Sequence, residues 1–86
     1  MNLNDSVLHV LNDALHLQGR ALAFDESTPL LGAMPELDSM AVLALITGLE
    51  NQFGIAFQDD QLDGAAFATV GSLTALVEQA IADAAA

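Results

Sequence analysis

Apolar residues recur along most of this chain at intervals of three and four, the period of an α-helix rather than the alternation of a strand. On a helical wheel of Leu3–Gln18, Leu3, Val7, Val10, Leu11, Ala14, Leu15 and Leu17 fall on one broad half. Asp5, His9, Asn12, Asp13 and His16 fall on the other, so the pattern predicts an amphipathic helix against a core, with Gly19 as its stop. A second period opens at Ser39 and runs to Phe53, with Val42, Leu45, Ile46, Leu49 and Phe53 in one stripe and Gly54 behind it. A third helix is expected over Thr69–Ala84, using Leu73, Leu76, Val77, Ala80 and Ile81, with the alanine-rich tail fraying. A short turn or helix is expected near Asp59–Ala65, ended by Gly64.

Residues 19–38 contain Gly19, Pro29, Gly32 and Pro35 and cannot sustain a helix, while Leu22, Phe24, Leu30, Leu31 and Met34 are expected to pin this long connection to the core. The expected fold is therefore all-α: a small four-helix bundle of three main helices and one short one, with a long loop between the first two. The length of 86 residues suits one domain, 1–86. No repeat is visible.

Charge narrows the range of functions. Twelve acids face one base, Arg20, for a net charge of −11. Such a surface repels nucleic acid and anionic membranes, because phosphate binding needs a basic footprint. It attracts proteins with basic docking patches and favours a monomer. There is no cysteine, hence no disulfide framework and no thiolate site. The longest apolar run, Met40–Ile46, is far below the roughly 18 residues of a membrane span. The start "MNLNDSVLHV" lacks the basic and apolar regions of a signal peptide, which makes a cytoplasmic location the expectation.

The candidate chemistry lies in "MPELDSMAVLALITGLENQFGI". Ser39 stands where a helix begins, between an acid and a methionine. Ser and Asp are both favoured N-caps, so Ser39 is either a cap or an attachment point. A helix N-terminus also suits phosphate, since its amides are unpaired and its dipole favours negative charge. Beside the core stripe, Met40, Leu43, Ala44 and Thr47 form a second, weakly polar face next to Ser39. It is either a protein contact or a surface covered by the preceding loop.

"ELDSMAVLALITGLENQFGI" resembles the second helix of acyl carrier proteins, in which Asp-Ser-Leu or Asp-Ser-Met precedes an apolar helix. Glu50, Phe53-Gly54-Ile55 and Thr69-Val70 stand at the family's distances, and "FATVGSLTALVEQAI" matches its last helix, so the resemblance spans nearly the whole chain. It implies that Ser39 carries a covalent 4′-phosphopantetheine with Asp38 as its acidic neighbour. The arm's thiol would hold an acyl group as a thioester, and the protein would be a carrier and not an enzyme. Implied partners are a phosphopantetheinyl transferase, an acyl- or aminoacyl-loading ligase, and acyl-transfer or condensing enzymes with basic docking patches. Met40, Leu43, Ala44 and Thr47 would be the docking residues. Leu45, Ile46, Phe57, Leu62 and Val70 are candidates for sheltering cargo between helices, or plain core.

Departures from the family shape the choice of pathway. Carriers of fatty-acid synthesis place acids on the exposed face of this helix, where this chain has Ala41, Ala44, Asn51 and Gln52. This points to a specialised lipid, polyketide or polysaccharide-linked pathway. The Asp-Ser-Met and "QFGI" segments also look like D-alanyl carrier proteins, an aminoacyl alternative. A third reading is an acidic helical interaction module without cofactor, Ser39 serving only as an N-cap.

Other sites are weaker. Asp59, Gln61, Asp63 and Gly64 fit the start of a calcium loop, but its twelfth position is Val70, with no bidentate carboxylate. His9 and His16 share a helix face two turns, roughly 10 Å, apart, too far for one metal. No metal ligand set is assigned. A hydrolase built on Ser39 needs a histidine within hydrogen-bond reach, and both histidines lie on the first helix.

Overall fold

The computed structural model describes residues 3–35, 37–58, 62 and 64–85. Among them three α-helices form: α1 Leu3–Ala14, α2 Ser39–Phe53 and α3 Val70–Ala85. No strand is present among these residues, only one isolated bridge between Pro29 and Thr69. The all-α expectation therefore holds. The fourth helical element is a 3-10 turn, Arg20–Ala23, inside the first connection. The short helix expected over 59–65 falls largely on residues outside those described, as do Asp59, Gln61 and Asp63 of the calcium-loop pattern.

α1 forms because its apolar positions share a side and Asp5 sits in the first turn, where the helix dipole favours an acid. Val7, Leu8, Val10 and Leu11 are buried. The helix ends at Ala14, earlier than its polar pattern suggests. Leu17 N–H donates to Asn12 O across 3.0 Å, a six-residue closure that places His16 at a left-handed φ of 54°. The Asn12 side chain then accepts from Gly19 N–H at 2.7 Å, fixing the exit. His16 is consequently off the helix, and the helix face it was expected to share with His9 does not exist. Leu15 and Leu17 stay buried because the turn folds back onto the core.

α2 ends at Gly54, whose φ of 64° any side chain would strain. Gly54 and Ile55 both donate to Glu50 O, and the Glu50 carboxylate accepts from Phe57 N–H at 3.0 Å. α3 is capped reciprocally: Thr69 Oγ1 accepts from Ser72 N–H and Ser72 Oγ accepts from Thr69 N–H. α1 packs on α2, on α3 and on the 3-10 turn. The core holds Leu11, Leu17, Leu30, Leu45, Leu49, Leu73, Val7, Val70 and Val77, all fully buried. Burying each such side chain is worth about 1.5–3 kcal/mol, and these come from all three α-helices as well as the loop. The polar Thr74 is also buried, and its hydroxyl donates to Asn4 Oδ1.

The long connection is stitched to the segment before α3. Leu30 N–H donates to Ala68 O, Leu31 N–H to Phe67 O, Val70 N–H to Thr28 O and Gly71 N–H to Glu26 O, at 2.8–3.1 Å. A Cβ on Gly71 would lie 3.0 Å from Glu26 O, so a side chain there would press the two segments slightly apart. At the loop's start the Asp25 carboxylate accepts from Ser27 N–H, from Ser27 Oγ and from Thr28 Oγ1. These bonds, that from the Ser27 hydroxyl foremost, hold its pKa below the usual carboxylate range. Of the loop residues expected to pin the core, Leu30 is buried and Phe24 and Met34 are half-buried. Leu22, in the 3-10 turn, and Leu31, which the stitched backbone turns outward, are instead 48% and 43% exposed.

Two outcomes test this account. His16→Gly raises stability by about 0.5–1 kcal/mol in denaturant unfolding, the relief of left-handed strain less the entropy of glycine. The lowered Asp25 pKa gives a contribution complete above the unfolded-chain value of about 4 and lost as the pH falls through the folded one. The stability of Asp25→Ala, measured from pH 5 downward, accordingly falls less steeply with acid than that of the parent.

Candidate functional site

The N-terminus of α2 is built by division of labour between adjacent residues. Asp38, in extended conformation, is the N-cap, and its Oδ1 accepts from Ala41 N–H at 2.9 Å. Ser39 is the first helical residue, so the capping role open to it in the sequence belongs to its neighbour. Its side chain is exposed, and among the described residues no hydrogen bond holds its hydroxyl. The first intrahelical bond runs from Val42 N–H to Asp38 O, and Asp38 takes Ala41. Among the described residues the Ser39 and Met40 amides are thus the unpaired donors of the first turn, at the positive end of the helix dipole where Ser39 also sits. That is a setting for a phosphate ester, and the donor set fits one.

Leu37 and Val42 occupy the positions on either side of the cap that form a hydrophobic staple. Both line a cleft of about 570 Å³ together with Leu31, Asp38, Ser39 and Leu43. Leu31 enters from the stitched loop and Leu43 from α2. Ser39 lies on the edge of this cleft, open to solvent and not beneath the loop.

Met40 and Leu43 are 80% and 65% exposed, and Ala44 and Thr47 are exposed as well. The loop does not cover this face. Asn51 and Gln52 extend it without charge, whereas Ala41 is half-buried against the core and not on the exposed face. The one acid of α2, Glu50, is half-buried and engaged with Phe57. Leu45 and Val70 are fully buried, and Ile46, Phe57 and Leu62 are packed on the core.

The structure does not bring a histidine to this cleft. His9 lines a separate groove with Asp5, Leu8 and Leu22, and His16 sits past the end of α1. Among the described residues no group of three or more potential metal ligands is found, and no helix is long and apolar enough to cross a membrane. Sequence reasoning missed Leu31 and Leu37 as site residues. The signal for Leu37 was present, since an apolar residue directly before a capping Asp and five before another apolar one marks a staple. For Leu31 no local signal exists, because its direction follows from the bond to Phe67.

Residues 5–77 match the family described as "Phosphopantetheine attachment site". Among solved structures the chain is similar to the holo acyl carrier protein from Nitrosomonas europaea, determined in solution by NMR. The two share 40% identity over 95% of this chain and 99% of that one, with a TM-score of 0.87. No curated protein matches the chain.

The assignment of the cap is tested by two substitutions. Asp38→Ala costs about 1 kcal/mol of stability, whereas Ser39→Ala changes it by less than about 0.5 kcal/mol, both by chemical denaturation.

Proposed function

The chain belongs to the phosphopantetheine-attachment family of acyl carrier proteins, and from that premise we propose that Ser39 is its attachment residue and that it shuttles a thioester among partner enzymes. The prosthetic group of this family is a covalent 4′-phosphopantetheine, whose terminal thiol holds the cargo. The observation that carries the reading is the exposed, unbonded Ser39 hydroxyl at the first position of a capped helix. Asp38 supports it by taking over the cap, which leaves the serine free without loosening the helix. The protein presents cargo and does no chemistry of its own; tethering raises the cargo's effective concentration at each partner.

The partners dock on Met40, Leu43, Ala44 and Thr47. Two of these, Met40 and Leu43, are large exposed apolar side chains that gain by leaving water, one next to Ser39 in the chain and the other lining the same cleft. A transferase must reach this face first, and loading or transfer enzymes afterwards. Because the exposed face of α2 bears no acid, basic patches on partners are steered by the −11 charge of the whole molecule more than by ion pairs along this helix. Partners adapted to a strongly acidic second helix would lose those pairs, so a specialised lipid, polyketide or polysaccharide-linked route fits better than general fatty-acid synthesis.

Incubation with coenzyme A and a broad-specificity phosphopantetheinyl transferase yields a mass gain of one phosphopantetheine, absent from Ser39→Ala. An unmodified parent protein would favour the cofactor-free interaction module. Met40→Glu and Leu43→Glu each slow loading about tenfold, the equivalent of 1.4 kcal/mol of docking energy, with helical content by circular dichroism unchanged. Loading at the parent rate in both would remove this face from docking.

A further inference from the structure

The chain contains three methionines and no cysteine, so methionine supplies all of its own sulfur. Met1 lies outside the described residues. Met34 is half-buried and packs against the core from the long connection. Met40 has the opposite setting. At 80% it is the most exposed of the four large apolar side chains that face solvent among the described residues, and the other three are Leu22, Leu31 and Leu43. Those leucines carry no atom that a mild oxidant attacks, whereas a thioether does.

Met40 also follows Ser39 directly, in the first turn of α2. Consecutive Cα atoms stand about 3.8 Å apart, so an enzyme that closes on the Ser39 hydroxyl has Met40 within its footprint. The turn itself is held by Asp38 Oδ1 accepting from Ala41 N–H at 2.9 Å, a bond in which the Met40 side chain takes no part. The thioether is therefore a surface group whose chemistry can change while the helix stays intact.

We propose that Met40 is a reversible oxidation site whose sulfoxide form withdraws the protein from its partner enzymes. The proposal rests on the docking reading above and adds regulation of that same face. A sulfur lone pair attacks a hydroperoxide, so that an S–O bond forms and the O–O bond breaks. The proton on the transferred oxygen passes to the departing one, which leaves as water or an alcohol; sulfur gives up two electrons and the peroxide takes them. A dithiol reverses the step, becoming a disulfide while the oxygen leaves as water. The thioether is soft and apolar and gains by leaving water at a contact. The sulfoxide oxygen is a strong acceptor, and burying it against an apolar partner strips its water without replacement. Leu43 cannot be altered in this way, so of the two large apolar side chains on the face Met40 alone has a second chemical state.

In the test, the full chain before loading, which has no thiol to compete, is treated with hydrogen peroxide. Peptide mass mapping locates the added oxygen. After the peroxide is removed, loading from coenzyme A by a broad-specificity phosphopantetheinyl transferase is timed. Met40 is oxidised before Met34, and the Met40 sulfoxide form loads about fivefold slower, less than with a carboxylate there because a sulfoxide is polar but uncharged. Helical content by circular dichroism is unchanged, and methionine sulfoxide reductases of both epimer specificities, with a dithiol, restore the rate. Each variant is compared with its own untreated rate: Met34→Leu keeps the fivefold loss and Met40→Leu shows none. Loading at the untreated rate with Met40 oxidised, oxidation of Met34 first, or a loss that persists in Met40→Leu overturns the proposal while leaving Ser39 loading intact. Slowing that comes with lost helix overturns it as well. An untreated chain that does not load overturns both this proposal and the carrier reading.

Discussion

The four backbone hydrogen bonds between residues 26–31 and 67–71 are the constraint on which the rest of this structure depends. The connection from α1 to α2 is long and mostly irregular, and a chain of that kind in isolation is mobile. Here it behaves as a fixed strut because its amides find carbonyls in the segment that starts α3. The pairing satisfies groups that the loop's own conformation leaves without partners. It also delivers Leu30 into the core and turns Leu31 out. The register is so close at Gly71 that even a methyl group meets the Glu26 carbonyl. One set of bonds therefore orders the loop, seats α3 and builds a wall beside Ser39.

On that frame the start of α2 separates stability from function. A helix needs an acceptor for its first amides, and the residue supplying it has its side chain occupied. With Asp38 in that role, Ser39 is left at the first helical turn with its hydroxyl facing solvent. Had the serine been the cap, its oxygen would have been engaged with the backbone, and modification would have competed with helix stability. The acid's negative charge is tolerable next to a phosphate because both lie at the positive end of the helix dipole.

The distribution of charge sets the character of recognition. The exposed face of α2 is apolar or neutral, and the helix's single acid is turned to the backbone beyond Gly54. On the proposed reading, long-range attraction would come from the molecule as a whole and contact beside Ser39 from the exposed Met40 and Leu43. A face of that kind would rely on shape and burial once a partner arrived, and would offer little to a partner that expects a row of carboxylates.

The sequence by itself determined the three helices, since their apolar period survives without knowledge of neighbours, and α2 begins and ends where Ser39 and Gly54 indicate. It also made Ser39 the candidate attachment residue, through the residues around it. Tertiary structure decided what depends on distant partners. α1 stops at Ala14 through a nearer closure, Asn12 accepting from Leu17 N–H with its backbone and from Gly19 N–H with its side chain, which a wheel cannot register. The 3-10 turn at Arg20–Ala23 is too short to leave a period. Leu31 reads as core in any hydropathy pattern, yet its direction is imposed by a carbonyl 36 positions further along the chain, at Phe67. Local periodicity reports which face of a helix is buried; only the assembled backbone decides where a loop residue points, and Leu31, in the cleft beside Ser39, is such a residue.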